Sequence, residues 1–255
     1  MVSSGFRSVA SLVLTGILTG CLAACTSTTT ESTPHSAESS EPSPEGSAPT
    51  QAAGGPVELG PVTNARHTGG LTTSTGLAVR ANVLIRSGQI TDPAACPQLE
   101  ALGVRTVVDL RAASAVQAEP DAACVVSGTN YYNADVPKLL PPGAEVYLQT
   151  LDALEPKLAE IFTRLSGNDA LPAIIHCVIG RDRASLTMAL VLMSLGVPRE
   201  QVLADFENNQ DVDVDRAWMN GVLARIDQAG GIETYLSQHG VTEERLRALR
   251  TMALQ

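Results

Sequence analysis

Apolar positions change period several times along the chain, and the changes mark out its elements. Residues 81–88 (Ala-Asn-Val-Leu-Ile-Arg-Ser-Gly) and 104–111 (Val-Arg-Thr-Val-Val-Asp-Leu-Arg) are short, β-branched and charged at their ends, which predicts strands. Residues 123–127 (Ala-Cys-Val-Val-Ser) predict another short strand, and 131–137 a strand edge that opens into a Pro-Pro-Gly loop at 141–143. Asp92-Pro93 is a helix start, carried through 96–102 to a stop at Gly103. Leu151, Leu154, Leu158, Ile161, Phe162 and Leu165 recur at helical spacing, with Pro156 marking a kink or a fresh start. An apolar run at 171–175 predicts a buried strand, and the longer run at 186–195 a buried helix ending at Gly196. Helices are predicted from Pro198 to Phe206, at 216–229, at 232–238 and at 242–254, the last with Thr242 as N-cap. Strands alternate with helices first, and the end is all helical. That order predicts an α/β fold: a mostly parallel sheet flanked by helices, with a helical C-terminal part. Ligand chemistry then belongs at the C-terminal ends of the strands.

The first 56 residues follow another pattern. Arg7 precedes an apolar run at 9–18 that is too short to span a bilayer comfortably. Small residues then precede Cys21 and, again, Cys25. Both sites resemble bacterial lipoprotein processing sites. Cys25 is the better one, because it lengthens the apolar run and a polar stretch follows at once. The resemblance implies a signal peptide at 1–24, a lipidated Cys25 and a protein at the outer face of a bacterial cytoplasmic membrane. An ordinary secretory signal that releases the product is the alternative. Residues 25–56 are rich in Ser, Thr, Pro and Glu without an aromatic residue, which predicts a disordered tether. Residues 57–255 are then one domain.

Of 255 residues, 17 are Lys or Arg and 27 are Asp or Glu, a formal net charge of −10. That balance argues against nucleic acid and against electrostatic adhesion to anionic lipid. With Cys25 lipidated, three of the five cysteines remain: Cys96, Cys124 and Cys177. Outside the cytoplasm Cys96 and Cys124 could pair, leaving Cys177 as the odd thiol; two separate buried thiols fit the spacing equally well.

The chemistry concentrates in His176-Cys177-Val178-Ile179-Gly180-Arg181-Asp182-Arg183. Five residues separate Cys177 from Arg183, between a predicted strand and a predicted helix. Loop N–H groups and a helix N-terminus make an anion cradle. The same field favours the thiolate of Cys177. Arg183, in the first helical turn, can grip two phosphate oxygens through its planar fork. Gly180 allows a sharp turn and a close approach to the anion. Nucleophile, oxyanion cradle and cation then surround one tetrahedral group, so Val178, Ile179, Gly180 and Arg181 read as substrate-binding.

The loop resembles the signature of the cysteine-dependent protein-tyrosine phosphatases. Asn64-x-Arg66-x-x-Gly69-Gly70, 85–89, 102–111 and 230–236 resemble, in the same order, its secreted bacterial tyrosine and dual-specificity branch. The resemblance implies hydrolysis of a phosphorylated protein or phosphoinositide without metal or other cofactor. It also implies a general acid. Asp135, 42 residues before Cys177, stands where such acids do; Asp182 lies inside the loop; Asp152, on a helix, is a weaker third. One departure stands out. A Ser or Thr usually follows the loop arginine, but here Ala184 does, and Ser185 comes one place late, about 100° away around a helix. That implies slow breakdown of the phosphoenzyme, or a phosphate-binding module without turnover. Arg181 favours a second phosphate or an acidic neighbour. His176 reads as orienting the loop, and Arg86, Arg111 and Asp109 as braces. The oligomeric state is not legible.

Overall fold

The computed structural model describes residues 54–209 and 214–255. The readings of a signal peptide, of a lipidated Cys25 and of a tether as far as residue 53 lie outside the described residues. The described part contains a six-stranded sheet in the order β1-β2-β3-β6-β4-β5. The strands are β1 (Gly55–Pro56), β2 (Arg66–His67), β3 (Leu84–Ser87), β4 (Thr106–Asp109), β5 (Asn130–Asn133) and β6 (Ala173–His176). β3, β6, β4 and β5 pair in parallel, and β1 and β2 add antiparallel to the β3 side. The mostly parallel sheet is therefore present.

The central strands β3, β4 and β6 are four residues each and buried along their whole length. Their period of two sends neighbours to opposite faces. Ile85, Val107 and Ile174 pack on one face with Leu59, Ile90, Leu99 and Val125. Leu84, Val108 and Ile175 pack on the other. The first face carries α1 (Cys96–Ala101) and α3 (Ala123–Val126), joined by a Cys96–Cys124 disulfide. The 28-residue separation makes that bridge worth about 3–4 kcal/mol on a chain-entropy argument. Between them α2 (Ala113–Ala118) follows β4. The second face carries α4 (Ala144–Leu154), α5 (Leu158–Leu165), α6 (Arg183–Ser194), α7 (Arg199–Glu207), α8 (Arg216–Gln228), α9 (Ile232–Gln238) and α10 (Glu243–Ala253). α6 is apolar nearly all round because it is buried nearly all round. Truncating its fully buried Leu190 to Ala removes about 2–5 kcal/mol.

Two readings change, and an open one is decided. Residues 123–127 form a helical turn, not a strand: so short an apolar run carries no period, and the bridge from Cys124 holds it over the sheet face. Gly55 and Pro56, read as tether, pair with β2, since backbone pairing needs no apolar side chain. Pro156 gives a fresh start: a 3-10 turn at Glu155–Lys157 separates α4 from α5. Thr242 caps α10 as expected, accepting from the Arg245 N–H.

Candidate active site

β6 delivers the chain to Cys177 at the centre of the sheet, and α6 begins six residues later at Arg183. The loop between them is shaped from outside by hydrogen bonds to its carbonyls. The Arg86 guanidinium, fully buried at the end of β3, donates to Gly180 O at 3.0 Å. Asn64 Nδ2 donates to the same oxygen at 3.1 Å. Gln89 N donates to Val178 O at 3.1 Å. In a planar peptide a carbonyl drawn outward turns the next N–H inward, so the N–H groups of Ile179 and Arg181 face the opposite side. Gly180 has φ +72°, and a Cβ there would lie 2.5 Å from Ser87 C. Only glycine fits both demands.

Arg86 is itself tied down by Asp205 O, Asn208 O and Asn209 Oδ1, at 2.9, 2.6 and 2.8 Å. The Asp205 carboxylate lies 3.7 Å from Arg86 Nε and 3.9 Å from Arg66 Nε. Burial pushes the Asp205 carboxyl above its ordinary value, although Arg86, Arg66 and His67 pull the other way. Arg86 is thus the brace expected of it, but mainly through carbonyls.

A cavity of about 100 Å³ opens over the loop. Cys177, Val178, Ile179, Arg181, Asp182 and Arg183 line it together with Tyr147, Thr150 and the lip residues Lys138, Leu139, Leu140 and Pro142. Its volume is well below that of a typical ligand pocket, so it suits one compact group with the rest of a ligand at the mouth. Arg183 is buried, and its Nη1 donates to Leu110 O at 3.0 Å and Val136 O at 2.9 Å. Among the described residues its Nε and Nη2 have no hydrogen-bond partner, which leaves those donors for an anion.

Asp182 and Asp135 part company. Asp182 lines the cavity, and Tyr147 donates its hydroxyl to Asp182 Oδ1 at 2.9 Å. Arg181 donates from Nε to Oδ1 at 3.0 Å and from Nη2 to Oδ2 at 3.1 Å. Asp135 is exposed, has φ +50° and accepts from Ala113 N, at the start of α2, at 2.7 Å. It is a loop residue of left-handed backbone outside the cavity lining. Asp152 pairs with Arg225 on the surface.

Behind Cys177 lies a second cluster. His176 is fully buried, with Nδ1 3.3 Å from Cys177 O and Nε2 3.1 Å from Asp121 Oδ2. Arg111 Nη2 sits 2.8 Å from Asp109 Oδ2 and 2.9 Å from Asp121 Oδ2. Tyr131 donates to Asp109 Oδ2 at 2.7 Å. Asp109, Asp121 and His176 could offer three metal-ligand atoms, but the arginine already supplies the cation between the two acids.

The sequence model of a family described as the tyrosine phosphatase family matches residues 57–255. The chain belongs to that family. A tyrosine-protein phosphatase of Nostoc commune is 27% identical over 220 residues, covering 68% of this chain and 74% of that protein. A second protein named as a tyrosine-protein phosphatase, from Cupriavidus necator, is 28% identical over 167 residues, covering 58% of this chain and 61% of its own length. Among solved structures, PTPMT1 in complex with PI(5)P is similar at a TM-score of 0.37 and 10% identity, covering 62% of this chain and 92% of that one. TpbA of P. aeruginosa is similar at a TM-score of 0.32 and 18% identity, covering 69% and 89%.

The phosphatase loop therefore brings Cys177, Asp182, Arg183 and Arg181 to one cavity. Neither Ala184 nor Ser185 lines it, and Ser185 Oγ is buried without a hydrogen-bond partner among the described residues. Sequence reasoning missed Tyr147, Lys138, Asp121 and Asn209. Asn64 carried a signal, in the motif that opens the domain, but no role.

Proposed function

We propose that this phosphatase hydrolyses phosphomonoesters, phosphotyrosine first among them, through a cysteinyl-phosphate intermediate on Cys177. The observation that carries this reading is that Cys177, Asp182 and Arg183 line one small cavity over an inward-facing amide loop. Arg183 and the amides hold the phosphate oxygens. Cys177 Sγ attacks phosphorus as the bond to the leaving oxygen breaks, and Asp182 gives that oxygen a proton. Water then attacks the phosphoenzyme, Asp182 takes up its proton, and phosphate and the free thiolate are released. The apolar lip of Leu139, Leu140, Pro142 and Ile179 suits an aromatic ring at the mouth. With Ala184 in place of a hydroxyl, the second step is the slow one.

A second substrate class, an inositol phosphate or phosphoinositide, is favoured by one observation: Arg181 and Lys138 add two cations to the same cavity. For the cell, the reading of the N-terminal residues supports an exported, lipid-tethered enzyme.

The test is turnover of para-nitrophenyl phosphate by the full chain without added metal, with Cys177→Ser beside it. Sustained hydrolysis that the substitution abolishes is expected. A single burst would put the block at the second step. Hydrolysis retained by Cys177→Ser would overturn the reading.

A further inference from the structure

An acid that must deliver a proton is here held by hydrogen-bond donors on both oxygens. Arg181 forks across Asp182, reaching Oδ1 at 3.0 Å and Oδ2 at 3.1 Å, and Tyr147 adds a third donor to Oδ1. Such a set is satisfied by the carboxylate, which only accepts; a proton on Oδ2 would face the Arg181 N–H. In this arrangement Asp182 is braced but not armed. The two sides of the clamp differ. Tyr147 is buried and fixed by its ring, which meets Phe206 edge-on at 5.7 Å and Trp218 at 5.5 Å. Arg181 hangs from the loop, with 14% of its side chain exposed, and lines the cavity itself.

We infer that Arg181 is a removable lock on Asp182, opened by a second anionic group carried close to the scissile phosphate on the same small scaffold, as in a vicinal bisphosphate of a polyol. This rests on the proposed cysteine-phosphatase reading. A phosphate dianion offers the guanidinium two oxygens and more charge than the carboxylate does. When Arg181 turns to it, Asp182 Oδ2 loses its donor while Oδ1 keeps Tyr147. Oδ2 then takes a proton from solvent and passes it to the leaving oxygen as the S–P bond forms and the P–O bond breaks. The second anion must reach the cavity wall, since that is where Arg181 lies; an acidic side chain flanking a phosphotyrosine stays at the mouth. The ionisable groups around Asp182 are Arg181 and Cys177 from the loop, Arg183 from the start of α6, Tyr147 from α4 and Lys138 from the lip.

The lock matters most where the leaving group is a poor one. A nitrophenolate departs with little help, whereas an alkoxide needs the acid, whose contribution is typically about 10²–10⁴-fold. The full chain is assayed on para-nitrophenyl phosphate, an inositol monophosphate and a vicinal inositol bisphosphate, each with wild type and Arg181→Gln. The wild type should turn over the bisphosphate about tenfold or more faster than the monophosphate. Arg181→Gln should raise kcat on the monophosphate, more than it changes KM, and bring the ratio of the two substrates close to unity. Parallel loss on both substrates, with no change in the ratio, would overturn the lock and leave Arg181 a plain phosphate ligand. If a phosphotyrosine peptide with acidic neighbours is stimulated as strongly as the bisphosphate, the small-scaffold assignment is wrong. The same head group in vesicles, compared with the soluble bisphosphate, separates a lipid from a free source of this chemistry. Loss of the para-nitrophenyl phosphate reaction itself, or its survival in Cys177→Ser, would bring down the enzyme reading and the lock together.

Discussion

Two arginine–aspartate clusters flank the nucleophile, and they differ in what a ligand can do to them. Behind Cys177, Arg111 and His176 meet Asp109 and Asp121 with side chains at most 1% exposed. In front, Arg181 and Asp182 pair at 14% and 31% exposure, on the wall of the cavity. The chemistry is alike. The rear cluster sits buried at the C-terminal ends of β4 and β6, out of reach of solvent and substrate, so its charges can only stay together. The front pair can exchange its partner for an incoming anion. Burial thus separates a brace from a switch built of the same residue types.

Breaking the rear cluster has the largest effect on the fold. Arg111→Ala leaves two buried carboxylates around one imidazole, and should lower unfolding free energy by about 3–5 kcal/mol in urea melts. Arg181→Gln should change it by less than about 1 kcal/mol, because its pair is partly solvated. Equal losses would erase the distinction. The rear cluster also has a pH signature. Burial by itself raises the Asp121 carboxyl, but the His176 contact and charge, Arg111 and the Ile90 N–H outweigh it and hold it below the ordinary 3.8. A carboxyl depressed by folding contributes stability above its ordinary value and loses it as pH falls through the folded one. Stability should therefore fall below about pH 4, with a shallower fall in Asp121→Asn.

A smaller effect is expected at the front pair. Tyr147→Phe removes one hydroxyl and keeps the ring between Phe206 and Trp218. The lost hydrogen bond is worth about 1 kcal/mol. Turnover of alkyl phosphates should drop about fivefold, while para-nitrophenyl phosphate should change less, as kcat measurements on both will tell. An equal drop on both substrates would place Tyr147 in the cavity wall alone.

The strand–loop–helix at 171–195 was legible because its signal is local: an apolar run, a fixed spacing from Cys177 to Arg183, and a glycine where the turn needs one. The braces were half legible. Arg86 and Arg111 stood out as cations at strand ends, and Asp109 as an acid two residues from Arg111. Asp121 and Asn209 did not, because they reach their partners across long separations that no periodicity records. Tyr147 was hidden for another reason. It lies in a helix at a position that packing alone would explain, and its hydroxyl gains a role only once α4 crosses the loop. The different surroundings of Asp135 and Asp182 needed three dimensions. Asp135 spends its carboxylate on the Ala113 N–H, whereas Asp182 faces the cavity. The two-residue strands β1 and β2 left no pattern, since sheet edges are joined by backbone alone.

The proposed chemistry stands or falls with a phosphoryl group carried on Cys177. It is tested most directly by mixing the full chain with a phosphotyrosine peptide, quenching in acid within the first turnovers, and mapping phosphate by mass spectrometry. Phosphate is expected on the peptide containing Cys177, accumulating because Ala184 offers no hydroxyl to speed its release. Turnover without phosphate on Cys177, or with phosphate on another side chain, would contradict it.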